Sequence, residues 1–398
     1  MAYQKTNKKN VKKNRNRRMK KFIPYGHHWI DDNDIKEVVK VLRSDWITQG
    51  PKIEEFEKAV AKYCEAKYAV AVSSGTAALH IAYNAAGIGP GDEVITTPLT
   101  FAATANTVVH CGGKPVFVDV QEDTCNISPE NIEKKITTRT KAIAPVDFGG
   151  HPCDYDEIGK IARKYKLLII EDASHALGSE YRGKKVGSFA DMIILSFHPV
   201  KHITTGEGGM VLTNNKNFYK KLKIFRHHGI VKKPEKGGWY YEIEKPGYNY
   251  RLTDFQCTLG LSQLKKIDKF IKRRREIAAE YNRAFKNIKE IITPTEKSYV
   301  KSAWHIYPIQ LNLERLKAGR KKIFEGLQKV GIGVQVHYIP LHLQPFYKKE
   351  FGYKKGDFPI AERYYQRAIT LPLFPKMTNG DVNRVIKTVK KVINFYKK

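Results

Sequence analysis

The stretch Leu167-Leu168-Ile169-Ile170-Glu171-Asp172-Ala173-Ser174-His175 decides the fold. A short all-apolar run of this kind reads as a strand covered on both faces, and such strands belong to sheets flanked by helices. The run ends in two acids, which places Asp172 at the carboxyl rim of its sheet, where open α/β sheets bind ligands. An ordinary helix N-cap after a strand would look the same, so the stretch alone names an architecture and not a chemistry.

Outward from it, strand-like runs fall at 68–72, 93–97, 115–120, 141–146, 192–197 and 209–213, with helical patterns at 53–66, 154–166 and 216–227. This alternation predicts an α/β fold built on a mainly parallel sheet. Thr253 and Gln256 have capping-box spacing and open a helical stripe of Leu252, Phe255, Leu259, Leu264, Ile267 and Ile271, expected to run on to about residue 285 as a spine between two domains. Beyond residue 295 the pattern is strand 305–311, helix 317–330, strand 334–340, a helical stretch near Ala361, strand 368–373 and helix 379–396, a smaller α/β domain. The expected division is a basic tail at 1–21, a large domain at 22–252, a linking helix at 253–290 and a small C-terminal domain at 291–398.

Three segments carry chemistry. Ser73-Ser74-Gly75-Thr76-Ala77 follows the strand at 68–72 and opens a helix, where free N–H groups and a glycine can receive an anion, although Ser and Thr cap helices everywhere. Asp172 ends a second strand. Ser196-Phe197-His198-Pro199-Val200-Lys201 ends a third and leads into the glycine-rich turn Gly206-Glu207-Gly208-Gly209. A lysine after a strand is usually a solvated surface residue; between an apolar strand and a glycine-rich turn it reads as part of a buried loop. Together, a phosphate loop at Gly75 and Thr76, an acid at Asp172 and an amine at Lys201 are what pyridoxal phosphate (PLP) requires. Asp172 keeps the pyridinium nitrogen protonated so that the ring can draw in electrons, and Lys201 forms the Schiff base. A free lysine has a pKa of about 10.4 and catalysis wants it nearer 7 to 8; burial and a neighbouring cation both push it that way.

With these residues in view, the chain from about residue 22 onward resembles the DegT/StrS family of sugar aminotransferases, within the fold-type I, aspartate-aminotransferase-like class. The matching segments are Thr48-Gln49-Gly50, Thr97-Pro98 with Phe101-Ala102-Ala103-Thr104-Ala105-Asn106, Asp172 to Gly178, Ser196 to Gly209, Phe225 to Gly229, Gly247 to Leu252, and Gln335-Val336-His337-Tyr338. Inside that family the Ser174-His175 pair matches the pseudaminic-acid group, where many relatives carry glutamine in place of the histidine.

The resemblance implies roles residue by residue. Phe101 would stack on the PLP ring, Ser196 and Thr76 would bind phosphate, His175 would stand beside the ring hydroxyl, and Asn249 would reach the site from the other subunit of a homodimer. Tyr25, the segment Asp45-Trp46-Ile47-Thr48, Gly75, Ser196, Asn249 and Gln335-Val336-His337-Tyr338 would line the nucleotide-sugar site. The implied reaction is a two-stage transamination, with glutamate as donor and a UDP-linked 4-keto-6-deoxy-N-acetylhexosamine as acceptor, giving UDP-4-amino-4,6-dideoxy-N-acetyl-β-L-altrosamine in pseudaminic acid biosynthesis. The rival readings are an aminotransferase for another nucleotide-linked 3- or 4-keto sugar or an inositol, a related dehydratase (which would have histidine at the Lys201 position), and a regulator that binds nucleic acid through its tail.

Bulk properties narrow the classes. The 398 residues suffice for two domains, and no apolar run approaches the roughly 18 to 20 residues of a membrane span. Cys64, Cys111, Cys125, Cys153 and Cys257 are scattered without metal-ligand or redox spacing, so reduced thiols in a cytoplasmic protein are expected. The formal charge is +31, of which residues 1–21 supply ten positive charges and no negative one. That tail is expected to be disordered by composition, and nucleic acid is expected as a partner only through it. The remaining positive charge would steer a dianionic nucleotide-sugar inward, an effect weakened by salt.

Overall fold

The computed structural model describes residues 22–398, and the basic tail at 1–21 lies outside the described residues. A seven-stranded sheet organises the larger part: β1 (Tyr68–Val72), β2 (Glu93–Thr96), β3 (Lys114–Phe117), β4 (Thr140–Ala144), β5 (Leu168–Asp172), β6 (Met192–Ser196) and β7 (Gly209–Thr213). Their order across the sheet is β1-β7-β6-β5-β4-β2-β3. All neighbours from β6 to β3 are parallel, whereas β7 runs antiparallel to both β6 and β1. Strands such as β6 and β7 are buried along nearly their whole length, because helices cover both faces.

The antiparallel β7 has a direct consequence for the site. Its first residue, Gly209, pairs with Ser196 at the end of β6 and with Val72 at the end of β1, so all three lie in one cross-strand row. The segment 197–208, which carries Lys201, is therefore a long hairpin returning to the rim it left. A side chain at Gly209 would meet the Ser74 carbonyl at 2.3 Å, so the row closes only with glycine there.

Helix α1 (Gly75–Ala86) starts two residues past that row. Ser74 caps it by accepting the Ala77 N–H, and Gly87 ends it at φ 78°, a left-handed turn that glycine adopts without strain. The expected capping box of Thr253 and Gln256 opens α2 (Asp254–Leu264). The expected single spine is, however, two helices: α2 stops at Leu264 and α3 (Ile267–Phe285) begins after a break at Lys265 and Lys266. Both lysines favour helix, so the break is tertiary. Lys266 leaves the helical path at φ −107° and ψ −1°, and its amine reaches Asp34 at 2.6 Å and Asp31 at 2.9 Å.

The C-terminal part holds a three-stranded antiparallel sheet, β8 (Ile291–Ile292), β9 (Tyr307–Leu311) and β10 (Ala368–Leu371), packed under α4 (Arg320–Lys329) and α5 (Asn379–Tyr396). Its apolar core joins Ile309, Leu311, Ile369 and Leu371 to Ile323, Leu327, Val385 and Val389, and also takes in Ile23 from near the start of the chain. The expected strand at 334–340 does not form. Gln335 exchanges both backbone bonds with Thr370, after which the chain turns away from the sheet. No helix among the described residues is long and apolar enough to cross a membrane.

Candidate active site

A cavity of about 670 Å³ opens above the carboxyl ends of β5 and β6. It is within the range of small-molecule sites. Its wall brings together, from distant parts of the sequence, Tyr25, Gly75, Thr76, Phe101, Asp172, His175, Ser196, Lys201 and the segment Gln335-Val336-His337-Tyr338. Twelve of the expected site residues thus share one chamber.

Asp172 ends β5 and is buried. One carboxylate oxygen accepts the Thr104 hydroxyl at 2.6 Å and the other accepts the Ser174 N–H at 3.2 Å. Thr104 in turn lies 2.9 Å from the Thr100 hydroxyl. Lys201 sits on the hairpin beyond β6, and burial, reinforced by the Arg274 cation and opposed by Asp172, pushes its amine down from 10.5 to about 8. At neutral pH an appreciable fraction is then the free base, the form that attacks a carbonyl.

The helix N-terminus supplies the third component. Helix geometry leaves first-turn N–H groups without intrahelical partners, and Gly75 and Thr76 line the cavity. A side chain at Gly75 would stand 3.1 Å from Ser196 Cβ and 3.3 Å from Ser196 Oγ, filling the space between that hydroxyl and the helix end. The result is a small anion cradle that exists because residue 75 is glycine.

His175 lies under the chamber with Nε2 3.1 Å from the Tyr338 hydroxyl and Nδ1 buried without a partner. Burial, and then the Lys201 charge, push it well below its ordinary value, so the ring is neutral. The same causes lower His337 to about 3. Its Nδ1 is 2.9 Å from the Thr370 hydroxyl. Phe101 stays exposed at the mouth, its ring tilted against Tyr338.

These features test the fit of PLP on this chain's own atoms. An open cradle at a helix end, a buried carboxylate anchored from behind by two donors, a partly neutral lysine and an unpartnered imidazole nitrogen match phosphate, ring nitrogen, aldehyde and ring oxygen respectively. The residues present fit the group.

Asp45, Trp46, Ile47, Thr48 and Asn249 do not line this cavity within the chain, and Asn249 was expected to reach the site from the other subunit. All five are exposed. Asp254 at the start of α2 holds the 47–52 turn outside, its carboxylate accepting the N–H groups of Gly50 and Lys52 and its own N–H donating to the Ile47 carbonyl. Asn249 pairs by backbone with His227, and Thr48 with Thr253.

Sequence reasoning missed several participants. Thr104, which donates to Asp172, had been given no role, and nothing local in the sequence marks it. His305, in the cavity wall with its ring 4.3 Å from that of His175, precedes β9 and carries no local mark. Behind Asp172, Glu171 meets Asp147 in the core; burial pushes Asp147 up to about 6, and burial with the Asp147 charge drives Glu171 well above the usual carboxylate range.

The profile of the DegT/DnrJ/EryC1/StrS aminotransferase family matches residues 28–390. A Campylobacter jejuni UDP-4-amino-4,6-dideoxy-N-acetyl-beta-L-altrosamine transaminase is 44% identical over 380 residues, covering 95% of this chain and 99% of that one. Among solved structures, Helicobacter pylori PseC, an aminotransferase involved in the biosynthesis of pseudoaminic acid, superposes with a TM-score of 0.89 at 37% identity, covering 94% of this chain and 100% of that one. The PLP form of Spr1654 from Streptococcus pneumoniae gives the same TM-score at 35% identity, covering 94% and 99%.

Proposed function

The chain belongs to the DegT/DnrJ/EryC1/StrS aminotransferase family, and from that premise we propose that it aminates the 4-keto group of a UDP-linked 2-acetamido-2,6-dideoxy sugar with glutamate as donor. The product is UDP-4-amino-4,6-dideoxy-N-acetyl-β-L-altrosamine, an intermediate of pseudaminic acid biosynthesis. That the chain is a PLP-dependent aminotransferase is the family's own property. The observation that carries the assignment of residues is the meeting of Lys201, with its amine near pH 8, and the anchored carboxylate of Asp172 across one cavity. The choice of sugar is supported by the name and near-complete coverage of the Campylobacter relative.

When bound, the cofactor supplies a carbonyl for covalent attachment and an electron-withdrawing ring that makes the donor's α-proton acidic. The protein's residues do the rest. Gly75, Thr76 and Ser196 hold the phosphate, and Asp172 keeps a proton on the ring nitrogen by charge. Lys201 Nζ would provide the attachment; once the donor's amine has displaced it, the freed Nζ would take the proton from the donor's α-carbon and return it across the donor nitrogen, acting as base and then acid. Phe101 would cover a ring face, and His175, oriented by Tyr338, would border the ring oxygen. Tyr25 and the segment 335–338 face the sugar.

The working unit is a cytoplasmic homodimer. Asn249 and the 45–48 turn, with Trp46 57% and Ile47 51% exposed, form a face that completes the partner's site. The test of the whole reading is to incubate purified protein with glutamate and a panel of UDP- and dTDP-linked 3- and 4-keto sugars and to identify products by mass and NMR. Preference for a dTDP sugar, or amination at C3, would overturn the substrate assignment.

A further inference from the structure

Arg274 is one of the largest fully buried side chains in the molecule, 1% exposed, and no carboxylate pairs with it among the described residues. A buried cation normally needs a counter-charge. Here carbonyl oxygens take that role. Nη1 donates to the carbonyls of His305 at 3.0 Å, Leu373 at 3.2 Å and Trp304 at 3.3 Å, and Nη2 donates to the carbonyl of Val200 at 3.4 Å. Three of these acceptors belong to the C-terminal part of the chain. The fourth is the residue immediately before Lys201.

We propose that Arg274 is a positioning residue for the transamination: its planar fork fastens the backbone that carries Lys201 to the C-terminal part, and its permanent charge stands behind the lysine amine. Only arginine does both, because five donors in a fixed plane span several carbonyls while the charge survives burial. A charge at this point is otherwise wasteful, since a neutral donor would satisfy the same oxygens at lower desolvation cost.

Lys201 is surrounded as follows. Asp172, from β5, favours the charged amine, and Arg274, from α3, opposes it. The imidazoles of His175, His202, His305 and His337 complete the surroundings, and burial pushes all four below their ordinary range. His198 and Glu207, which also line the cavity, lie on the Lys201 hairpin itself. With the four imidazoles neutral, Arg274 is the fixed cation acting on the amine. Burial lowers its own affinity for a proton, yet a guanidinium keeps its charge in a protein interior.

The inference rests on Lys201 being the reactive lysine, and the experiment separates the two claims. In apoprotein, competitive acetylation between pH 6 and 11, read at the Lys201 peptide by mass, gives the titration midpoint of that amine whatever its role. Arg274→Gln removes the charge while keeping amide donors; Arg274→Lys keeps the charge while losing the plane. The midpoint, near 8 in the parent, rises by at least about one unit in Arg274→Gln, since one charge within roughly 12 Å at an effective dielectric of about 20 contributes that much or more. In Arg274→Lys it stays, while amide hydrogen exchange over 198–203 quickens in both variants. The acidic limb of the holoenzyme's rate profile follows the same pattern. A midpoint in Arg274→Gln within 0.3 unit of the parent overturns the electrostatic half, a limit set at about a third of the expected shift. Unchanged exchange in Arg274→Lys overturns the fastening half. If Arg274→Gln fails to fold, a Lys201 midpoint that rises in Arg274→Lys sinks the proposal by itself.

Discussion

Replacing Asp172 by asparagine separates charge from shape at the heart of the site. The carboxylate's two oxygens each accept one donor, the Thr104 hydroxyl at 2.6 Å and the Ser174 N–H at 3.2 Å. An asparagine can keep its oxygen toward Ser174 and present its amide N–H to Thr104, whose own hydrogen swings to Thr100, 2.9 Å away. Every donor stays satisfied, so the folded state loses about 1 kcal/mol at most, and the melting temperature drops by only about 1–2 °C. The chemistry loses far more. A charge-assisted bond to a protonated ring nitrogen becomes a neutral one, a difference of about 3 kcal/mol in a buried site, and at about 1.4 kcal/mol per tenfold this slows the glutamate half-reaction about a hundredfold. Rapid mixing of holoenzyme with glutamate, following absorbance as the cofactor passes to its pyridoxamine form, measures that step alone. A rate within about threefold of the parent would refute the assigned role of Asp172, since that is about 0.6 kcal/mol. A large fall in melting temperature would instead refute the rearrangement at Thr104.

Lys201→Ala removes the amine that attaches and relays the proton, so turnover falls below about a hundredth of the parent while non-covalent cofactor binding persists; borohydride treatment followed by intact mass shows no covalent adduct. Mixing Lys201→Ala subunits with Asn249→Asp subunits restores up to about half the parent activity per heterodimer, because both lesions fall in one of the two sites; a mixture that stays dead after verified subunit exchange ends the shared-site reading. The buried Asp147–Glu171 pair predicts a pH effect on stability. Both acids sit above their ordinary values of 3.8 and 4.5, Asp147 at about 6 and Glu171 higher, so the pair holds its proton when folded and stability falls as pH rises from the ordinary carboxylate range through and beyond 6. Glu171→Gln, which replaces the shared proton with an amide N–H, flattens that slope; melting curves from pH 5 to 8 with the parent's slope unchanged would show that the pair shares no proton.

The rim residues were legible in the sequence because each follows an apolar strand directly. Gly75, Asp172 and Ser196 announce themselves by position, and Lys201 by the glycine-rich turn beyond it. Thr104 was not legible as a partner of Asp172, since 68 residues separate them and a threonine in a helix has no local reason to be functional. The same holds for Arg274, whose carbonyl partners lie 30, 31, 74 and 99 residues away. The segment at 334–340 misled because it is apolar and alternating, yet only Gln335 pairs with a strand, Val334 packs in the C-terminal core and residues 335–339 line the cavity. The break between α2 and α3 misled for the opposite reason, lysines with good helix propensity being pulled aside by Asp31 and Asp34.

The row Val72–Gly209–Ser196 sets how freely such a protein can change its diet. Phosphate hydroxyl, helix entrance and the two ends of the lysine hairpin are stitched to neighbouring rungs of one hydrogen-bond ladder, where a slip of a single residue would turn every side chain to the other face. Mutation cannot drift there without losing the cofactor. The segment 335–341, in contrast, reaches the cavity from outside that ladder, tied to β10 by the Gln335 backbone and by His337 Nδ1 against the Thr370 hydroxyl, and its other side chains can be exchanged without disturbing a rung. Selection for a new sugar is thereby channelled into one short stretch of chain, and engineers seeking altered acceptors should randomise that stretch first and leave the ladder untouched.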